Sequence, residues 1–216
     1  MSERVTFSAA TGQVKGELST PSGTTRGPGV VLIMEYWGIN DQIKSVADRL
    51  ANEGFVAVVP DLYHGKTATT ADDAVKLMNA LDWPKAIQEI AGAVDFVRSR
   101  GNGKVAVMGY CMGGALTLAA GANIPSLAAV VPFYGVPGPQ DYSKVTAPVQ
   151  AHFAEHDEWA TIEAGKKIQS QIKSMELFTY DAQHAFCNDR RPEVFAPAAA
   201  AQAWDRAIAF IRQHAS

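Results

Sequence analysis

The chain has 216 residues, 47% of them hydrophobic, enough to bury one substantial core without a second domain. Its formal charge of -3 comes with no Lys/Arg-rich tract, so a polyanion such as nucleic acid finds no electrostatic footing and small substrates are favoured. Two cysteines, Cys111 and Cys187, make no disulfide framework, no window nears the roughly 20 apolar residues of a membrane span, and the first ten residues do not read as an export signal, so a single cytoplasmic domain is expected.

In chain order, Val5–Phe7 and Gln13–Ser19 read as edge strands, and the Pro/Gly/Thr-rich segment 20–28 as a turn. Val30–Met34 is the first buried strand. Its unbroken apolar run, like those of Phe55–Val59, Val105–Met108, Leu127–Val131 and Val149–Phe153, fits a strand covered on both faces. Helices are expected at Ile43–Asn52 after the cap-like Asn40-Asp41, at Pro84–Arg98 after Asp82, and at Ala115–Ala120. Glu176–Tyr180 reads as a late strand. The alanine-rich segment 196–214 reads as a final helix that packs through Trp204, Ile208 and Ile211. Strand and helix alternate, which predicts an α/β fold: a mostly parallel central sheet, helices on both faces, and a site beyond the carboxyl ends of the strands.

Chemistry-bearing residues follow those strands. Gly109-Tyr110-Cys111-Met112-Gly113-Gly114 joins a strand directly to a helix. A corner this tight strains its central residue and exposes its side chain, while flanking glycines let strand and helix approach. Cys111 would then meet the positive end of a helix, which favours thiolate. A nucleophile needs a base, and the base an orienting carboxylate, which His184 and Asp157 can supply in the chain order of the α/β-hydrolases. Glu155 and Glu158 are rival orienters, and Asp157 also suits a turn or helix cap. Cys187 reads as a packing residue, Asp61 as a turn former beside Pro60, and His64, His152, His156 and His214 as structural. His152 and His156 fall on a strand pattern that separates them, so neither a metal nor a cofactor is expected.

Met34-Glu35-Tyr36-Trp37-Gly38-Ile39-Asn40, Pro60-Asp61-Leu62-Tyr63, the cysteine corner and His184-Ala185-Phe186 together resemble the dienelactone hydrolase family, from about residue 30 onward. The resemblance implies an α/β-hydrolase fold, Cys111 as nucleophile, His184 as general base, Asp157 as its partner and Glu35 as an auxiliary carboxylate acting on the thiol. It also implies an oxyanion hole from the N–H groups of Met112 and Tyr36. Relatives that act on dienelactone hold its carboxylate with arginines, one of them in a His-Ser-Phe-Ala-Arg run. Here that run ends in Asn188, with Arg190 and Arg191 close by. The implied activity is hydrolysis of a small-molecule ester, lactone or thioester, with Trp37, Trp83, Phe133, Trp159 and Asn188 in contact with the substrate. The alternatives are a ligand-binding or regulatory protein without turnover on the same scaffold, and a redox protein using Cys111 and Cys187.

Overall fold

The computed structural model describes residues 2–23 and 27–216; the turn expected over 20–28 takes in residues 24–26, which lie outside the described residues. Eight strands form one sheet: β1 (Glu3–Ala9), β2 (Gly12–Ser19), β3 (Gly29–Ile33), β4 (Val56–Pro60), β5 (Val105–Tyr110), β6 (Ala129–Phe133), β7 (Val149–His156) and β8 (Met175–Gln183). Their order across the sheet is β1-β2-β4-β3-β5-β6-β7-β8. The pairs β1/β2 and β2/β4 are antiparallel, and all pairs from β4 to β8 are parallel. The unbroken apolar runs have the environment their pattern implies: β3, β4, β5 and β6 are buried along their whole length.

Among the described residues, six α-helices accompany the sheet: α1 (Asp41–Asn52), α2 (Ala71–Asn79), α3 (Trp83–Arg98), α4 (Met112–Asn123), α5 (Ile162–Gln169) and, after the last strand, α6 (Pro197–Ala215). Polar caps set several starts. The Asn40 side chain accepts from Ile43 N at 3.1 Å, and Asp82 accepts from Lys85 N at 3.1 Å, with Pro84 in the first turn of α3. The sequence pattern did not yield α2 or α5, because each buries too little to imprint a stripe: Ala74 alone in α2, Gly165 and Ile168 in α5. Side-chain caps from Thr70 and Thr161 hold these two helices. α3 and α4 pack on each other, while α1 and α6 meet where the Arg49 guanidinium lies 4.0 Å from the Trp204 ring centre. Among the described residues no helix is long and apolar enough to cross a membrane.

Candidate active site

The site begins at the β5–α4 corner. Cys111 has φ 56° and ψ -118°, a left-handed backbone rare for any residue with a Cβ. It is pinned there by its N–H, which donates to Phe133 O at 3.0 Å, and by its carbonyl, which accepts from Ala115 N at 3.0 Å. The corner exists only because main chain meets main chain. A Cβ on Gly109 would collide with Gly113 O, and one on Gly113 with the carbonyls of Ile33 and Met34. The same contact sets the end of β3, and hence Glu35 and Tyr36, beside the first turn of α4.

Two further parallel strands deliver the partners. Asp157 follows β7, and His184 follows β8. His184 Nε2 lies 3.1 Å from Cys111 Sγ, and His184 Nδ1 lies 2.6 Å from Asp157 Oδ2. These partners assign the imidazole tautomer: Nδ1–H donates to the carboxylate, which leaves Nε2 free to accept the thiol proton. The other Asp157 oxygen accepts from Trp159 N and Ala160 N, both at 2.9 Å. Burial alone would raise the Asp157 pKa. The hydrogen bond and charge of His184 and the two N–H donors outweigh it and hold the carboxyl below its usual range. The rival Glu155 instead accepts from the Thr179 hydroxyl at 3.2 Å on the exposed side of the sheet.

Electrostatics at the sulfur differ from what a helix terminus alone predicts. Cys111 is partly accessible as a residue, yet desolvation pushes its thiol up to about 12. The charge of Glu35 raises it further, as does that of Asp157, while the Met112 N–H and Arg191 oppose them. The α4 terminus does favour thiolate, yet desolvation and two carboxylates win, so the resting group is a neutral thiol.

Glu35 is buried. Its Oε2 accepts from Asn188 Nδ2 at 2.7 Å, whereas its Oε1 and the Tyr134 hydroxyl are both buried without a well-formed hydrogen bond. Burial raises its pKa, opposed by Asn188, by the charges of His184 and Arg191, and by the nearby Tyr134 hydroxyl. Asn188, expected to contact substrate, is thus itself buried and engaged with Glu35.

The aromatic expectations divide. The Trp159 ring is edge-on to His184 with centres 5.1 Å apart and is 72% exposed, so it stands over the imidazole at the site mouth. Trp37 packs edge-on to Tyr36 at 4.6 Å, next to Glu35. Phe133, the last residue of β6, is fully buried and stacks on the His152 ring at 4.4 Å. Trp83 lies half-buried in the first turn of α3, and among the described residues its ring makes no contact with the triad rings. His152 is buried with Nδ1 2.8 Å from the Tyr180 hydroxyl, and desolvation lowers its pKa to about 3, so it stays neutral. Among the described residues no group of three or more His, Cys, Asp or Glu could hold a metal ion.

Two residues bear on the site that the sequence did not single out. Tyr134 has φ 35°, directly after β6, and lays its ring edge-on to His184 at 5.2 Å. Tyr63 donates its hydroxyl to Met112 Sδ at 3.1 Å, tying the turn after β4 to the first residue of α4. A polar aromatic after a buried strand is the signal each offered.

Comparison with known proteins agrees with this architecture. A profile of the dienelactone hydrolase family matches residues 14–215. "Protein usf" of Aquifex pyrophilus is 36% identical over 99% of both chains, and a carboxymethylenebutenolidase of a Pseudomonas species is 30% identical over 87% of this chain and 85% of its own. In fold, the chain is similar to a dienelactone hydrolase-like promiscuous phosphotriesterase from metagenomic libraries, with TM-score 0.87, 22% identity, and 100% and 99% of the two chains covered. An esterase of Pyrococcus furiosus superposes with TM-score 0.74 at 14% identity, covering 100% of this chain and 94% of its own. The chain belongs to the dienelactone hydrolase family of α/β-fold hydrolases.

Proposed function

We propose that the protein hydrolyses a carboxylic ester or lactone of a small molecule, thioesters included, by two-step acyl transfer on Cys111. One observation carries the reading: the unbroken relay from Cys111 Sγ to His184 Nε2 at 3.1 Å and from His184 Nδ1 to Asp157 Oδ2 at 2.6 Å. His184 takes the thiol proton as sulfur attacks the carbonyl carbon. The resulting oxyanion is met by the N–H groups of Met112 and Tyr36, each donor of this kind contributing about 3 kcal/mol. Collapse expels the alcohol or alkoxide end, which takes the proton from His184 and leaves a thioester on Cys111. Neutral His184 then draws a proton from water, which attacks the thioester and returns sulfur to the thiol as the acid departs.

Burial, seconded by the charge of Glu35, holds the thiol neutral while the site is empty, which shields the sulfur from oxidation because thiolate is the oxidisable form. Asn188 is uncharged and engaged with Glu35, so this position offers no cation to a substrate carboxylate. The test is Cys111→Ala assayed on short-chain aryl esters and simple lactones, with turnover expected to fall by on the order of 10^4-fold or more. Unchanged turnover removes the mechanism, and tight ligand binding without product in the wild-type protein returns the reading to a binding protein.

A further inference from the structure

A concavity lies between the β1–β2 hairpin and the segments that follow β3 and β4. Its volume is about 430 Å³, within the range of small-molecule sites. Four cationic side chains line it, Arg4 and Lys15 from the β1–β2 hairpin, Lys44 from the first turn of α1, and Lys66 from the loop after β4. They face two carboxylates, Glu17 and Asp61.

Neither carboxylate cancels the surplus. Glu17 is 11% exposed and bracketed by Arg4 Nε at 3.6 Å and Lys44 Nζ at 3.7 Å. Asp61 turns Oδ1 into the protein and offers Oδ2 to the Gly65 N–H at 2.6 Å. Lys15 and Lys66 are exposed, and among the described residues neither ammonium group has an ion-pair partner. The groove therefore carries a formal surplus of two positive charges from its lining side chains. Concave walls concentrate such a field.

We infer that this groove binds a small dianion, of the phosphomonoester class, at a site separate from the triad. A phosphomonoester bears about 1.5 to 2 negative charges near neutral pH and accepts several charge-assisted hydrogen bonds, matching the surplus and the free ammonium groups. A monocarboxylate supplies half that charge. The groove stands independently of the acyl-transfer reading, because none of its cations belongs to the triad or its N–H donors.

The experiment is calorimetric titration of the full chain with phenyl phosphate, benzoate and phenol. Phenyl phosphate is expected to bind one equivalent, to weaken with added salt, and to bind Cys111→Ala as tightly as the wild type. In Lys15→Ala/Lys66→Ala its affinity is expected to fall at least about tenfold. Benzoate should bind at least about tenfold more weakly than phenyl phosphate, and phenol should not bind in the groove at all. Lys66→Glu provides a second variant at a solvent-exposed position and should abolish binding while hydrolysis of neutral esters is retained. Absence of one-to-one binding, or binding unchanged in the double-lysine variant, overturns the site. Equal affinity for benzoate overturns the dianion preference.

Discussion

Replacing Glu35 with Gln removes the charge that, after burial, does most to keep the proton on Cys111. The amide keeps the length of the side chain and an oxygen that can still accept from Asn188 Nδ2. The thiol stands at about 12 against an ordinary 9.0, and burial takes the largest part of that rise, with Glu35 and then Asp157 adding to it. Removing one neighbouring like charge typically moves a pKa by about one unit, or about 1.4 kcal/mol of differential stabilisation. Below both values, thiolate population in Glu35→Gln should rise about tenfold. The assay is the rate of iodoacetamide alkylation against pH, in a Cys187→Ala background so that one sulfur is read. The midpoint should move down by about one unit, and alkylation near neutrality should quicken about tenfold. A midpoint that stays in place or rises would refute the idea that Glu35 governs the sulfur.

Asp157→Asn should lower kcat on neutral esters by on the order of 10^3 to 10^4-fold, because an amide supports the wrong imidazole tautomer. The folded Asp157 pKa lies below its unfolded value, so its stabilisation is present above the ordinary Asp range and disappears as pH falls through the lower folded value. Urea unfolding of this variant across acid pH should show that limb flattened. His152 works in the same sense over a higher pH window: held neutral down to about 3 when folded, it binds a proton more readily in the unfolded chain, so stability drains as pH falls from 6.5 toward 3. His152→Phe should lose that part of the acid dependence in the same unfolding series. Gly113→Ala places a methyl group against the carbonyls of Ile33 and Met34 and should cost about 1–3 kcal/mol by urea unfolding, with esterase activity lost alongside.

The parallel core was legible because its strands are buried on both faces, so Val30, Val31 and Leu32, or Val105, Ala106 and Val107, announce themselves without any turn of phase. The elbow was legible because glycines flank Cys111 where strand pattern gives way to helix; chain order made His184 and Asp157 candidates, the family resemblance chose Asp157 over Glu155 and Glu158, and the fold brings both within hydrogen-bond reach of the relay. Phe133 shows what sequence leaves open, since an aromatic at a strand end looks the same whether it faces a pocket or the core, and its stack on His152 of β7 emerges only in the fold. Asn188 looked like a site for substrate because nothing local reveals that Glu35, 153 residues away in sequence, claims its amide. The protonation of Cys111 was likewise hidden, since desolvation is a property of the assembled interior and not of a helix start. The cationic groove escaped for the same reason: Arg4, Lys15, Lys44 and Lys66 are scattered along the chain and gathered only by the fold.

The bend at residue 111 is dictated by carbonyls and amides, through Phe133 O, Ala115 N and the glycine contacts around them. Nothing in that scaffold grips the sulfur atom itself to keep the backbone in place. The reactive atom is therefore interchangeable in a way its platform is not. Serine at this corner would inherit the same posture, while its chemistry would still differ because a hydroxyl is a far weaker acid and nucleophile than a thiol. Selection can thus exchange the warhead in one step, whereas altering the platform requires moving two polypeptide segments at once.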